Sequence, residues 1–339
     1  MSRTLVQRFY EVAKLKAESP ALGLEYGGAY HDLPWWFVKS KAKHFGMGLL
    51  EAGAREGEYF YLLPSEDPEW IYAELGALTV GLKTLPLPKT IPANALATLF
   101  RRFPPAFFFA GGALPPPELF RGLKGLHRIL RTHEESSPWE GLPVDSFRRV
   151  FNSGIRCEAK HHASFRRHRE AADLSTELSP IRVDEDGLIR ESALNYGQVN
   201  EIAARFDQAL GNKPLHRFLA QTDLSHTLDR VAALYWPILK GAQAILAPPR
   251  SSFGAWLKRF APEAILAPTG FLKEIAEASD PAPAASSLRS FADLKQCWER
   301  LRLRRRLHLG SLALALHRAE DAGLTAGLAR LGIATYALD

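Results

Sequence analysis

The chain has 339 residues, 46% of them hydrophobic, and a formal net charge of +6, so it can bury a sizeable core in one large or two ordinary domains. Its two cysteines, Cys157 and Cys297, exclude a disulfide framework or a zinc ribbon and favour a reduced, cytoplasmic setting. Charges are spread through the first twenty residues, and no apolar run approaches the ~18–20 residues that cross a bilayer, so neither a signal peptide nor a membrane span is expected.

The first half of the chain alternates apolar runs with helical patterns. Strands are predicted at 58–64, 82–88, 106–111 and 127–132. Helices are predicted at 67–81, 93–103 and 115–126. In the first of these helices, Asp67 is the predicted N-cap and Pro68 the first helical residue.

The same alternation returns in the second half. Helices are predicted at 195–211, 226–241, 253–261 and 322–332, and strands at 216–221, 242–248, 263–268, 305–312 and 333–339. Such alternation, with strands buried on both faces, is typical of an α/β fold with mainly parallel sheets. The charged stretch 134–192 is interpreted as a long connection, which divides one compact domain into a first lobe at 1–170 and a second at 171–339.

The basic residues are concentrated in two patches, Arg156–Arg169 and Arg302–Arg306. Such patches suit nucleic acid, an acidic membrane surface or an acidic protein partner, although a solvated surface is the simpler interpretation. The alternation of Arg and Leu in the second patch favours a strand over a helix that follows phosphates.

The first patch also contains residue types that bind metals, namely Cys157, His161, His162 and His168. Their spacing matches no common zinc pattern, and arginines stand between them. A flexible basic loop is therefore predicted, and no metal site is expected.

Several stretches, taken in order, resemble the large N-terminal domain of the acyl-adenylate-forming (AMP-binding) superfamily, which includes long-chain acyl-CoA synthetases. The stretches that carry the resemblance are 21–49, 49–88, 219–248, 262–278 and 301–314. The clearest, 49–88, is similar to the family's "G-D-x-v-a-x-x-x-x-N-s-x-e-w" strand and helix, followed by "v-P-l". The resemblance implies two stacked, mainly parallel sheets with interleaved helices, and it leaves the C-terminal barrel and lid domains of such enzymes without a counterpart.

The same resemblance places "RVDEDGLIRE" (182–191) against the family's phosphate loop, T-S-G-T-T-G-x-P-K-G. Small hydroxyl and glycine residues let that loop hold ATP phosphates with backbone amides, and a lysine adds charge. Here Gly187 keeps its place, and Arg190 is the one candidate to replace the lysine. Each carboxylate of the "DED" in this stretch would repel a phosphate about 5 Å away by roughly 3 kcal/mol at an effective dielectric near 20. We therefore expect an acidic turn that no longer binds ATP, and we expect no cofactor.

Other positions that the family uses are also changed. Where family enzymes have Y-G-x-T-E, this chain reads Tyr336-Ala337-Leu338-Asp339. His226 occupies the place of a family histidine that lies near the acyl and adenylate pocket, although a helix-terminal or core histidine with one hydrogen bond is the alternative. Tyr235 and Trp236 follow His226 on the same helix and are expected in the core.

Three functional hypotheses follow. The first is a degenerate ligase homologue, not catalytic alone, that binds an acyl group, an acyl carrier protein or a partner enzyme. The second is an acyl-activating ligase, using ATP and Mg²⁺, whose C-terminal domain with the catalytic lysine is a separate protein. The third, less favoured, is a binder of nucleic acid or of a membrane surface through the basic patches. An apolar face is expected where further domains would pack, which is compatible with a homo- or hetero-oligomer.

Overall fold

The computed structural model of the chain describes most of its residues. The described residues are 3–63, 67–111, 115–132, 139, 141–184, 187–249, 251–278, 312–317, 322–331 and 333–338. The elements up to residue 171 are α1 (Leu5–Leu15), β1 (Pro20–Tyr26), β2 (Ala29–Pro34), α2 (Trp35–Glu51), β3 (Tyr59–Leu63), α3 (Glu69–Thr79), β4 (Lys83–Pro86), α4 (Ala93–Arg102), β5 (Pro105–Ala110), a 3₁₀ turn (Pro117–Leu119), β6 (Arg128–Arg131), β7 (Val144–Ser146), α5 (Phe147–Arg156) and α6 (Glu158–Ala171).

The remaining elements repeat strand and helix. They are β8 (Glu177–Val183), β9 (Ile189–Asn195), α7 (Tyr196–Ala209), β10 (Arg217–Ala220), α8 (Thr227–Arg230), a π-helix (Val231–Tyr235), α9 (Trp236–Lys240), β11 (Gln243–Leu246), α10 (Phe253–Phe260), β12 (Ala264–Leu266), α11 (Thr269–Ala278), β13 (Leu314–His317), α12 (Ala322–Arg330) and β14 (Ala334–Ala337).

The described strands form three sheets. The largest has the order β14-β13-β12-β10-β11-β1-β2, and all its neighbours are parallel except the hairpin β1–β2. The second sheet, β4-β3-β5-β6-β7, is parallel throughout. The antiparallel pair β8–β9 forms the third. The prediction of a mainly parallel α/β fold is confirmed.

Helices fill the space between the two large sheets. Apolar residues of both sheets share one core with α1, α2, α3, α7 and the π-helix, and this core contains the fully buried Trp35 and Trp236. A second core lies under α10, α11 and α12, and a third lies against α4. Strands covered on both faces read as continuous apolar runs, which is why "AFFFA" and "QAIL" identify buried strands.

Glycines allow α2 to approach two other helices closely. A Cβ on Gly154 of α5 would lie 1.7 Å from the His44 carbonyl oxygen, and one on Gly48 would lie 2.1 Å from the Val150 carbonyl oxygen. At the contact with α3, a Cβ on Gly76 would lie 2.7 Å from the Ala42 carbonyl oxygen. Only hydrogen atoms fit at these crossings, so the glycines set the distance between the helices.

Two predicted helices differ from the structure. The helix predicted at 115–126 is wrong: only the 3₁₀ turn Pro117–Leu119 forms, because Gly122 and Gly125 adopt left-handed backbone angles of +78° and +86° that interrupt a helix. The helix predicted at 67–81 is confirmed, but its N-cap is Pro68 rather than Asp67, and its first residue is Glu69.

The prediction of a long connection at 134–192, with a flexible basic loop in it, is wrong. This part of the chain contains β7, α5, α6 and the β8–β9 hairpin. In α5, Phe147, Val150 and Gly154 lie on one buried face, whereas α6 buries only Phe165. In α6 a single buried residue among many charges leaves little apolar period in the sequence.

The patch Arg302–Arg306 and residues 305–311 of the strand predicted at 305–312 lie outside the described residues, and Leu312 precedes the observed strand. The observed strand in this part of the chain is β13, Leu314–His317. The division of the domain at residue 170 stays a prediction, although β1 and β2 from the first half pair in one sheet with strands from the second.

Contacts between α2 and α6 should make stability depend on pH. Lys160 Nζ and His161 Nε2 lie 2.7 and 2.6 Å from Glu51 Oε2, and these hydrogen bonds lower the pKa of Glu51 from 4.5 to about 2. A carboxyl group whose pKa is lowered by folding stabilises the protein at pH values above its ordinary pKa. This stabilisation is lost as the pH falls from 4.5 towards 2. We therefore expect Glu51→Gln to flatten the pH dependence of the melting temperature in that interval.

Thermal unfolding in steps between pH 6 and pH 2 (roughly the span over which carboxyls titrate) measures this. Glu170→Gln, at the other end of α6, is the matched control and should keep the slope of the wild type. A parallel pair of curves for the wild type and Glu51→Gln would contradict the prediction.

Candidate functional site

The stretch aligned with a phosphate loop is the closed tip of the β8–β9 hairpin. The backbone N–H of Asp184 donates to the Leu188 carbonyl, and the N–H of Gly187 donates to the Asp184 carbonyl, each over 3.0 Å. The N–H of Leu188 donates to Asp184 Oδ1 over 2.8 Å. The described backbone N–H groups at this tip are thus already hydrogen-bonded within the turn, as in other turns closed by an aspartate side chain.

The arginine predicted to replace the phosphate-loop lysine faces the same aspartate. Arg190 Nε–H donates to Asp184 Oδ2 over 2.8 Å, and 70% of the Arg190 side chain is exposed. Glu185 and Asp186 lie outside the described residues. Gly187 has a φ of +72°, which a glycine adopts without strain at the turn.

The hairpin tip is fastened to the start of α8. The Val183 N–H donates to Thr227 Oγ1 over 3.1 Å, and His226 Nδ1 lies within hydrogen-bond distance of the Asp184 carbonyl oxygen. Because a carbonyl oxygen only accepts, Nδ1 carries the proton that forms this hydrogen bond.

The three residues singled out in the sequence, Gly187, Arg190 and His226, therefore meet around Asp184. His226 is the N-cap of α8 and makes one described side-chain hydrogen bond, so its geometry agrees with the helix-terminal alternative. Its role in binding stays a prediction.

A cleft opens beside the loop that precedes His226. It has a volume of about 280 Å³ and lies at the carboxyl ends of β1, β10 and β11, next to the start of α3. In open parallel sheets, ligands bind in the crevice at this end of the strands. Its apolar walls include Leu24, Trp70, Ile71, Leu224, Leu246, Ala247, Pro248 and Pro249.

The charged residues of the cleft are mostly acidic. Glu25, Asp67 and Asp223 line it, against Lys89 as the one cation among its described lining residues. The field of three carboxylates and one ammonium opposes a free carboxylate or a phosphate in the cleft. The cleft thus suits an apolar group with a neutral or cationic end.

A buried charged cluster lies behind the cleft. Arg230 Nε–H donates to the Tyr235 hydroxyl over 3.1 Å, the hydroxyl donates to Glu74 Oε1 over 2.6 Å, and Arg230 Nε lies 3.4 Å from the same Oε1. Arg230 Nη1 also points to the carbonyl of Leu224, a cleft residue, over 3.4 Å. Burial raises the pKa of Glu74, and Arg230 opposes this rise.

This cluster was not found from the sequence. Glu74 stands alone among apolar residues in "IYAELGAL", and Arg230 follows Asp229 at the start of the apolar run "VAALYWPIL"; a charge within or beside an apolar helical run was the available signal. The π-helix between Arg230 and Pro237 follows from the proline, which lacks the N–H that an α-helix would direct to Ala233.

Tyr235 and Trp236 lie in the core, as predicted. Both are buried, and Trp236 Nε1–H donates to Asp207 Oδ1 over 2.9 Å. The histidines of the first basic patch are spread along α6, where His161 contacts Glu51 and His168 contacts Glu56. The part of the chain that the structure describes contains no group of three or more His, Cys, Asp or Glu that could hold a metal ion.

Solved structures of ligases match this fold over almost the whole chain. A protein from Rhodopseudomonas palustris named as a long-chain-fatty-acid CoA ligase superposes with a TM-score of 0.70 and 14% identity, over 98% of this chain and 74% of its own. The anthranilate CoA ligase AuaEII, in complex with anthranoyl-AMP, gives 0.66 and 19%, over 98% and 58%. The chain has the fold of the acyl- and aryl-CoA ligases.

The N-terminal subdomain of Klebsiella oxytoca NpsA, in complex with 3-hydroxybenzoyl-AMSN, shares this ligase fold with a TM-score of 0.62 and 10% identity, over 99% of this chain and 71% of its own. The ligase-fold chain thus spans about half to three-quarters of the proteins that it matches. No protein-family profile and no curated protein matches the sequence. In the described part of the chain, no helix is both long and apolar enough to cross a membrane.

Proposed function

We propose that this ligase-fold chain does not adenylate acids by itself and acts by binding a neutral acyl or aryl group in the cleft beside His226. The observation that carries the proposal is the position of Asp184. Its carbonyl and carboxylate accept from the Gly187 and Leu188 amides and from Arg190, the groups that a phosphate loop would offer to a nucleotide.

Electrostatics supports the same conclusion. An ATP phosphate at the tip would have to displace the Asp184 carboxylate from Arg190 and from the Leu188 amide, and the carboxylate would remain beside it. At about 5 Å that repulsion amounts to roughly 3 kcal/mol at an effective dielectric near 20. Adenylation depends chiefly on positioning and neutralising a triphosphate, and a tip closed on Asp184 disfavours both.

The form of the cleft supports a small, uncharged ligand. Its volume of about 280 Å³ is at the lower end of the range for ligand pockets, so a short acyl or an aryl group fits better than a long chain. An acid that is already esterified carries no carboxylate to be repelled by Glu25, Asp67 and Asp223. The proposed ligand is therefore an acyl group presented as a neutral thioester.

Calorimetry with defined ligands tests the proposal. We expect no saturable binding of ATP with Mg²⁺, and saturable binding of benzoyl- or butyryl-pantetheine. Ala247→Phe, which places a ring in the cleft, should abolish thioester binding, whereas Ala163→Phe on exposed α6 should retain it. Saturable binding of ATP, or unchanged thioester binding by Ala247→Phe in a folded protein, would refute the proposal.

A second candidate is a ligase completed by a separate C-terminal-domain protein. It is favoured by the structure of the NpsA N-terminal subdomain, which holds an acyl-AMSN ligand and has this fold. This candidate predicts AMP formation when a small protein with the catalytic lysine is added with ATP, Mg²⁺ and an acid. Arg190→Ala should then abolish the activity, and an unchanged rate in that variant would count against it.

A further inference from the structure

Most of the net charge of the chain lies on two consecutive helices. Residues 147–171, which form α5 and α6, contain seven Arg and Lys and two Glu, a net charge of +5 in a chain with a formal net charge of +6. The remaining 314 residues therefore carry a net charge of only +1. The two helices are therefore a local concentration of basic residues.

The basic side chains of α5 lie on its outer face. Phe147, Val150 and Gly154 are buried, whereas the three arginines of the helix are exposed. Arg148 and Ile155 share one exposed stripe at a spacing of seven residues, and Arg149 and Arg156 share the next. Ile155 is 46% exposed, one of the few large apolar side chains of the described chain that face solvent.

The acidic residues near this face are already paired. Glu158 bonds to Lys43 and His44, Glu51 to Lys160 and His161, and Glu170 to Arg166 and Arg169. Within the described residues, no ion pair within 4.0 Å is found for Arg148, Arg156 or Arg167, which are exposed. The face therefore keeps cations that are available to a partner.

A groove beside α5 provides a socket in this face. It has a volume of about 290 Å³ and is lined by Arg128, Arg149 and Arg156, together with Glu51 and Asp145. Glu51 is paired with Lys160, and Asp145 lies 4.0 Å from Arg128, so Arg156 is the cation that the groove offers to a partner. A carboxylate that enters it can form charge-assisted, bidentate hydrogen bonds.

We infer that the outer face of α5 and α6 docks a small acidic helical protein, with acidic side chains on the arginines and an apolar side chain on Ile155. The close contact of Gly154 with His44 holds α5 rigidly on α2, so the face is organised before binding. The outward arginines of this face do not line the cleft, so the inference is independent of the proposed ligand.

The composition of the face favours a protein over the other polyanions. Nucleic acid is held by a continuous basic track and gains nothing from an exposed isoleucine, and vesicles are held by clustered basic charge with inserted aromatic or leucine side chains. Here an apolar residue stands between arginines, and acids are interspersed along α6. This pattern matches a protein interface with an apolar centre and a charged rim.

Fluorescence anisotropy at low salt tests the inference, with labelled apo acyl carrier protein as the acidic helical probe. The variant Arg148→Glu/Arg156→Glu/Arg167→Glu changes the face, and Arg101→Glu/Arg205→Glu/Arg217→Glu changes the net charge equally at exposed positions elsewhere. We expect at least about tenfold weaker binding for the first variant and at most about twofold for the second. Melting temperatures of both variants check that they fold.

The same titrations with a short DNA duplex and with phosphatidylserine vesicles complete the test. The expected result is that both bind more weakly than the carrier protein. The inference is overturned if the carrier protein shows no saturable binding, if the two variants lose affinity equally, or if the duplex or the vesicles bind as tightly as the carrier protein.

Discussion

Arg230→Met is expected to lower the free energy of unfolding by about 3–5 kcal/mol at pH 7, because it leaves the buried carboxylate of Glu74 without its cation. Both side chains are at most 1% exposed, so water cannot replace the guanidinium. Burial already raises the pKa of Glu74, and loss of Arg230 raises it further. Protonation then relieves the penalty, so the deficit should shrink as the pH falls from 7 towards 5. Urea unfolding at both pH values measures it.

Two further variants separate the lost ion pair from lost packing. Adding Glu74→Gln to Arg230→Met removes the buried charge while keeping an acceptor for the Tyr235 hydroxyl, and should recover at least about half of the loss. Arg205→Met, at an exposed position of α7, should change stability by less than about 0.5 kcal/mol. If Arg230→Met is as stable as the wild type at pH 7, the buried pair does not act as described.

Gly154→Ala is expected to cost about 3 kcal/mol, an unusually large effect for one methyl group. The new Cβ would lie 1.7 Å from the His44 carbonyl oxygen, and that oxygen belongs to the backbone of α2, so no side chain can rotate to make room. The two helices must separate, and the packing around Val150 and Gly48 is lost with them. Unfolding in urea gives the change.

The matched control is Gly270→Ala in α11, where a Cβ would meet nothing within 4 Å. Alanine is the better helix former, so this variant should be more stable by up to about 1 kcal/mol. The argument from close helix contact fails if the two alanine variants shift stability in the same direction by similar amounts.

The fold could be predicted because most of its strands are covered on both sides. A strand such as "AFFFA" must be continuously apolar, and the helices between strands keep a wide apolar face, so the order of elements is visible without tertiary information. The helices α5 and α6 were not predicted, because they lie in a stretch rich in charges and α6 buries only one residue, Phe165. The prediction also failed at 115–126, where two glycines outweigh a helical pattern.

The three residues singled out in the sequence are neighbours in the structure, and their role in binding stays a prediction. Alignment by order and spacing brought Gly187, Arg190 and His226 to attention, and all three meet at Asp184. The cleft and the Glu74–Arg230 pair were missed, because each joins segments far apart in the chain. Glu74 and Arg230 are 156 positions apart, and the sequence around either residue does not indicate that the two form a pair.

The pairing of β1 with β11 has a consequence for biosynthesis. Leu22 is the register partner of Ala244, so the largest sheet cannot close around its first strand until more than 220 further residues have left the ribosome. During translation the backbone N–H and C=O groups along one edge of the N-terminal hairpin therefore remain unpaired. This edge can pair with a wrong strand or bind a chaperone. The five-stranded sheet, whose strands end at Ser146, can assemble in the nascent chain well before that moment.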